Sequence, residues 1–307
     1  MGSGNGKAYF VFLFLFYLLV LEVQILSKPI IALMYDFDKT LSPKDMQEYG
    51  FISDLGVSVS EFWEKTNEFS IREKMDRILS YMYVMKNMSE ELERPIKRDD
   101  LKKLGENIEF FPGVVEWFEN INSYGDAKGV QIEHYIISSG LQEIIEGTRI
   151  SRYFKEIYAC KYIYNDNGEA IWPGMTVNYT AKTQFWARIN KGVLDISDDD
   201  ALNKSMSEDC RRVNTKNMIY FGDGMTDIPC MKLTKENGGH SIAVYNDKNK
   251  DKVEELLVEN RVNYIAKADY RAGSDMEKTI KTIIDKLVVD NSLKELNRNQ
   301  RESVCGR

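Results

Sequence analysis

Apolar residues fall into short unbroken runs along much of this chain, and three of the runs stop abruptly on acidic or hydroxyl side chains. Leu33-Met34-Tyr35 leads into Asp36-Phe37-Asp38-Lys39-Thr40-Leu41, and Val130 to Ile137 ends in Ser138-Ser139-Gly140. Asn217 to Phe221 runs into Gly222-Asp223-Gly224-Met225-Thr226-Asp227. Runs of this length without polar alternation predict strands buried on both faces. Ser241–Tyr245 and Val262–Ile265 read as further strands. Between them the apolar spacing turns helical: after Gly113 (Val114, Val115, Trp117, Phe118, Ile121), in TAKTQFWARINKG ending at Gly192, and at about 251–260 and 274–288. Thr180 is the expected cap of the TAKTQFWARINKG helix. Strands alternating with helices predict an α/β fold around a parallel sheet. Residues 156–179 have β character around Asn165-Asp166-Asn167-Gly168, a turn signal that predicts a hairpin.

Two stretches lie outside this alternation. Residues 44–110 read as helical, with Ile71, Met75, Ile78, Leu79, Met82 and Met85 on one apolar stripe. This helical stretch is set between residues 28–43 and the alternating part of the chain, 111–290. At the other extreme, residues 8–21 are uninterrupted apolar, and Val23–Leu26 extend the run past Glu22 to about 19 residues, near the length that crosses a bilayer. Residues 1–27 therefore read as a membrane anchor, a signal sequence or an extension foreign to the folded domain. The folded domain after residue 27 is expected to be cytoplasmic, tethered to a membrane if residues 8–26 are an anchor. The acidic stretch 193–216 reads as a solvated loop, and residues 291–307 as a frayed polar tail.

Composition narrows the chemistry. At 307 residues, with 43% hydrophobic and 29% charged side chains, the chain suits a soluble globular protein. The net charge of −7, without a basic run, argues against a nucleic-acid partner. Cys160, Cys210, Cys230 and Cys305 are scattered without metal-binding spacing, and only His134 and His240 are present. A metal would have to be a hard cation bound by oxygen.

Candidate chemistry sits at the strand ends. Side chains alternate along a strand, so Asp36 and Asp38 project to one side, with Phe37 opposite. Two carboxylates on one face point to a metal or a catalytic pair, whereas a single one would suit a strand end turning into a loop. In open parallel sheets the reactive site lies beyond the carboxyl ends of the strands. The three strand ends, with Lys182 in the first turn of a helix, gather carboxylates, hydroxyls and an ammonium. Such a set suits Mg²⁺ together with a phosphate group. Plainer roles exist: Ser138 as a helix cap, Asp227 as a helix-start acid, Thr40 as a turn residue.

DFDKT, IISSG, the Ala181-Lys182 of TAKTQFW, and GDGMTD, in that order, resemble the four motifs of the haloacid dehalogenase superfamily over roughly residues 30–290. The helical insert after the first motif is similar to the cap of its phosphoserine phosphatase-like branch. The resemblance implies a Rossmann-like core with an inserted cap. It also implies Mg²⁺-dependent hydrolysis of a small phosphorylated metabolite through an aspartyl-phosphate. By the same resemblance Asp36 is the nucleophile and Asp38 the acid and base. Mg²⁺ would be held by Asp36, the Asp38 carbonyl and Asp223, with Asp227 as a ligand or a support behind the ligands. Ser138, Ser139 and Lys182 would bind phosphate. Phosphoserine phosphatases carry a cap glutamate nine residues after the nucleophile; Asp45 stands there, and Arg72 and Arg77 are candidates for a substrate-binding arginine. The competing reading is a non-catalytic or regulatory phosphate-binding protein on the same fold. The sequence sets no oligomeric state.

Overall fold

The computed structural model describes residues 28–305, so the apolar stretch 8–26 lies outside the described residues. Among the described residues no helix is long and apolar enough to cross a membrane. Seven strands form one sheet in the order β4-β3-β2-β1-β5-β6-β7, parallel except for the edge strand β4. They are β1 (Ile30–Tyr35), β2 (Gln131–Leu141), β3 (Phe154–Tyr164), β4 (Ala170–Met175), β5 (Met218–Gly222), β6 (His240–Tyr245) and β7 (Tyr264–Lys267). Strand β1 is central, paired with β2 on one side and β5 on the other. Ile31 to Tyr35 have no exposed surface, which is why this strand reads as a continuous apolar run. The architecture is α/β and Rossmann-like. The chain leaves β1 toward different neighbours on its two sides, which opens a crevice beyond the carboxyl end of the strand.

Helices cover the sheet and build the insertion. The insertion holds α1 (Phe51–Asp54), α2 (Val59–Glu73), α3 (Arg77–Glu91) and α4 (Arg98–Glu106). The core contributes α5 (Val114–Ala127), α6 (Gln142–Glu146), α7 (Lys182–Lys191), α8 (Asp199–Asn203), α9 (Ile228–Glu236), α10 (Lys250–Val258) and α11 (Asp275–Cys305). Helix α5 packs on β2, and α9 on β5 and β6. In the core between α5 and the sheet, the Tyr35 hydroxyl accepts from Trp117 Nε1 at 2.9 Å and bonds His134 Nδ1 at 3.1 Å, so burying three polar rings leaves these atoms paired.

Several expectations change. The apolar stripe at 71–85 is two helices and not one. Helix α2 stops at Glu73 with Lys74 left-handed at φ 51°, Met75 N–H bonding Ser70 C=O and Lys74 N–H bonding Ile71 C=O. This is a Schellman stop with lysine where glycine is usual. Asp76 then caps α3, its carboxylate accepting from Ile78 and Leu79 N–H. Ile71 is 67% exposed and Met82 and Met85 are fully buried, so only part of the stripe is core. The final helix runs on to Cys305 through the polar tail, its outer turns solvent-exposed. Within 193–216, buried Arg188 donates to the carbonyls of Asp195, Ile196 and Asp198 and to the Asp199 carboxylate, so this acidic stretch is pinned from below.

The hairpin is also more than a turn. Asn165 Oδ1 accepts from the N–H groups of Asn167 and Glu169, which closes the turn. The turn then meets the insertion: Ala170 N–H bonds Ile96 C=O at 2.8 Å, and the Tyr162 hydroxyl donates to Met82 C=O at 2.6 Å. On the other side α4 lies so close to α6 that a Cβ on Gly105 would fall 2.2 Å from the Ile144 carbonyl oxygen. The two glycine contacts there, Gly105 and Gly147, seat the end of the insertion on the core.

Candidate active site

The site begins where β1 runs out. Asp36 N–H still bonds Phe221 C=O of β5 at 2.9 Å, so its backbone is fixed by the sheet. Phe37 points the other way into the core, edge-on to Phe110, and its carbonyl accepts from the N–H groups of Thr40, Leu41 and Ser42. That fold-back leaves Lys39 left-handed at φ 60°, a strain of about 1 kcal/mol for a residue with a Cβ. Thr40 serves the loop: its carbonyl accepts from the Tyr270 hydroxyl at 2.9 Å. Asp36 and Asp38 both line a cavity of about 450 Å³ between the strand ends and the insertion. Asp38 Oδ1 accepts from Met46 N–H at 2.9 Å, which aims this carboxylate with the first turn of the insertion.

Lys182 lies behind Asp36. Its helix start is set by Asn178, whose Oδ1 accepts from Ala181 N–H at 2.8 Å and from the Thr180 hydroxyl at 2.9 Å. Asn178, and not the expected Thr180, therefore fixes the turn that leads into the helix, whose cap position is Ala181. The Lys182 ammonium, fully buried, reaches Asp36 Oδ1 at 3.0 Å and Asp227 Oδ1 at 2.6 Å. Lys191, at the far end of α7, donates instead to the carbonyls of Leu202 and Lys204.

Asp227 stands at the N-terminal cap position of α9 without a side-chain bond to the helix, and its Oδ1, besides meeting Lys182, accepts from the Tyr220 hydroxyl at 2.8 Å. The carboxylate packs so tightly on the end of β5 that a Cβ on Gly222 would meet its Cγ at 2.4 Å. Oxygens of Asp36, Asp223 and Asp227 all lie within 4.8 Å of one another. Asp227 Oδ2 is buried with no partner among the described residues. An orphaned buried carboxylate oxygen beside two more carboxylates suits a hard divalent cation. The Asp38 carboxylate, turned toward Met46, stands apart from this trio.

The electrostatics follow from burial. Burial pushes Asp36 up to about 6, against the pull of Lys182 and with a further push from Asp227. Burial, Asp45 and Asp36 hold Asp38 well above the usual carboxylate range. Asp223 is raised by burial and by Asp227 and Asp36. Burial works against the Lys182 ammonium, yet Asp227 and Asp36 outweigh it and keep the group charged above its ordinary range.

The two serines separate. Ser138 is buried and its Oγ accepts from Gly140 N–H at 3.1 Å, so its hydroxyl proton remains to donate into the cavity. Ser139 also borders the cavity, but its hydroxyl donates to Val177 C=O at 2.7 Å. Its hydroxyl proton is thus engaged, whereas that of Ser138 is not. The Ser139 carbonyl receives the Tyr81 hydroxyl of the insertion at 2.8 Å. Strand β2 continues through these serines to Leu141, and the next helix opens at Gln142 and not at Gly140.

Sequence reasoning missed the roof of the cavity: Gln47, Trp63, Thr66, Asn67, Ile78 and Tyr81. The signal was present as Trp63, Thr66 and Asn67 at i, i+3 and i+4 on one helical face. Of the two candidate arginines, Arg77 borders the cavity, while Arg72 pairs with Glu73 at 2.8 Å and lies over the Phe69 ring.

A family model described as haloacid dehalogenase-like hydrolase matches residues 33–232. The chain belongs to this family of hydrolases. An uncharacterized protein of Borreliella burgdorferi is 29% identical over 280 residues, covering 80% of this chain and 94% of that protein. Among solved structures, a probable phosphoserine phosphatase from Vibrio cholerae superposes with a TM-score of 0.54 at 13% identity, over 86% of this chain and 67% of that one. A substrate-bound phosphoserine phosphatase gives 0.51 at 14% identity, over 83% and 99%. A HAD family hydrolase from Salmonella enterica serovar Typhi gives 0.51 at 19%, over 74% of this chain and 66% of that chain. At such identities the likeness is one of fold.

Proposed function

We propose that this chain is a Mg²⁺-dependent phosphatase that hydrolyses a small phosphomonoester through an aspartyl-phosphate on Asp36. The observation that carries the reading is the pairing of Asp36 Oδ1 with a buried Lys182, next to a second carboxylate and a trio of acidic oxygens. Lys182 fixes one oxygen of Asp36 and leaves the other to attack phosphorus from the floor of the cavity. Mg²⁺ would be held by Asp36, the Asp38 carbonyl, Asp223 and Asp227, and would supply positive charge to the phosphoryl oxygens. Lys182, although buried, adds a fixed positive charge beside the reacting carboxylate, and the Ser138 hydroxyl donates to the phosphoryl group.

Asp38 carries the proton. Its raised pKa is the direction a general acid needs near neutral pH. As the bond from Asp36 to phosphorus forms, the bond to the leaving alcohol breaks and Asp38 gives its proton to that oxygen. Water then attacks the phosphorus, Asp38 takes the water proton, and inorganic phosphate leaves Asp36. The Met46 N–H on Asp38 Oδ1 leaves Oδ2 to carry the transferred proton. The insertion lies over the cavity, where its closure on a bound substrate would exclude water from the first step.

Turnover of a generic aryl phosphate tests the reading. We expect activity that EDTA removes and Mg²⁺ restores. Full activity in chelator would remove the metal from the account, and no turnover at saturating Mg²⁺ would favour a binding protein on the same fold.

A further inference from the structure

The roof of the cavity carries three charged side chains, and two of them cancel. Lys39 Nζ contacts both oxygens of the Asp45 carboxylate, at 2.8 and 2.7 Å. The left-handed turn at Lys39 aims this ammonium away from the strand and across to the first residues of the insertion. The third is Arg77, a solvent-exposed residue at the start of α3, which borders the same cavity and has no ion pair among the described residues. The rest of the roof is neutral, with Trp63 and Tyr81 as its aromatic walls. An ammonium on a leaving group would thus meet a carboxylate already satisfied and an uncompensated guanidinium. A carboxylate on the leaving group would meet the guanidinium and accept from its planar fork of donors.

We propose that the Lys39–Asp45 pair is a specificity filter that selects phosphorylated hydroxy acids over phosphorylated amino acids. This rests on the phosphatase reading and names its substrate class. Lys39 acts by occupying Asp45, and Asp45 by withholding its charge from the substrate. Arg77 receives the substrate carboxylate. Like-charge contacts and occupied partners reject the wrong ligand as effectively as good contacts recruit the right one.

The test compares two esters that differ in one group, 3-phosphoglycerate with a hydroxyl and O-phosphoserine with an ammonium at the same carbon. The full chain should turn over 3-phosphoglycerate with the higher kcat/KM. Lys39→Met uncovers Asp45 and should move the ratio of the two kcat/KM values toward O-phosphoserine by about tenfold or more, since a carboxylate in a partly buried wall then faces the ammonium. Lys39→Met combined with Asp45→Asn should cancel that gain. Each ratio is taken within one variant, and aryl phosphate turnover reports whether that variant is folded and competent. Preference for O-phosphoserine by the unaltered chain, or an unmoved ratio in Lys39→Met, overturns the filter. Aryl phosphate turnover with neither ester accepted overturns the substrate class alone. Loss of aryl phosphate turnover by the unaltered chain refutes the phosphatase reading and the filter with it.

Discussion

Replacing Lys182 by methionine removes one buried cation and strands two carboxylates. The ammonium has no exposed surface, Asp227 has none, and the Asp36 side chain has 8%. At an effective dielectric constant of about 20, each contact is worth roughly 5–6 kcal/mol before desolvation. Burying the lysine cancels much of that, and breaking one side of a buried ion pair costs about 3–5 kcal/mol net. With roughly 2–4 °C per kcal/mol for a domain of this size, Lys182→Met should melt about 10 °C lower in EDTA at pH 8. The sign of the pH dependence is fixed by Asp36. Its folded-state value of about 6 lies above the ordinary 3.8, so the folded protein binds more protons in that window and stability falls as pH rises through it. Without the lysine that value rises further and the window extends upward. The deficit of Lys182→Met should therefore shrink at pH 5. Thermal unfolding followed by circular dichroism at the two pH values measures both effects. A loss below 2 °C at pH 8, or an equal deficit at both pH values, would refute the electrostatic account of this lysine.

In the proposed mechanism Asp38→Asn keeps the nucleophile and loses the proton carrier, so steady-state turnover should fall by about 10²–10⁴-fold, least for aryl esters with good leaving groups. Equal losses for good and poor leaving groups would remove Asp38 from proton transfer. A Cβ on Gly140 would fall 2.1 Å from Met46 Cε and 3.1 Å from Asp38 Oδ2. Gly140→Ala should push Met46 aside, with about 1–3 kcal/mol of overpacking, and lower kcat more than its melting temperature suggests. Unchanged kcat would mean that Met46 does not position Asp38. Tyr81→Phe removes the hydroxyl bond from the insertion to the Ser139 carbonyl, worth about 1 kcal/mol, and should raise KM with a small loss of stability. A KM equal to that of the unaltered chain would detach this contact from substrate binding.

The ends of β1 and β5 were legible because a central parallel strand must be apolar on both faces, so the first polar residue after it stands out sharply. Asp36 and Asp223 follow those ends directly, whereas Ser138 lies within β2, which runs on to Leu141. What lay beyond them depended on geometry that spacing does not encode. Ile71 keeps helical spacing with Met82 yet sits in solvent, because the stop at Lys74 and the cap at Asp76 outweigh the stripe. Thr180 and Asn178 are both cap-forming residues two positions apart, and only the bond to Ala181 N–H separates them. Ser139 has the residue type of a phosphate ligand, and the Val177 carbonyl claims its proton. The roof of the cavity was legible only as a shared helical face of Trp63, Thr66 and Asn67; that this face covers the site depends on how α2 and α3 dock over the strand ends. The polar tail became helix because nothing in it breaks one: from Ser292 to Cys305 it holds neither glycine nor proline.

The central claim is that Asp36 carries the phosphoryl group. Acid quenching during turnover of a labelled phosphomonoester, followed by peptide mapping, locates that group directly. The account predicts label on Asp36 in the unaltered chain and none in Asp36→Asn, with Asp38→Asn still labelled by an aryl ester. Label on Asp38, or labelling that survives Asp36→Asn, would contradict it.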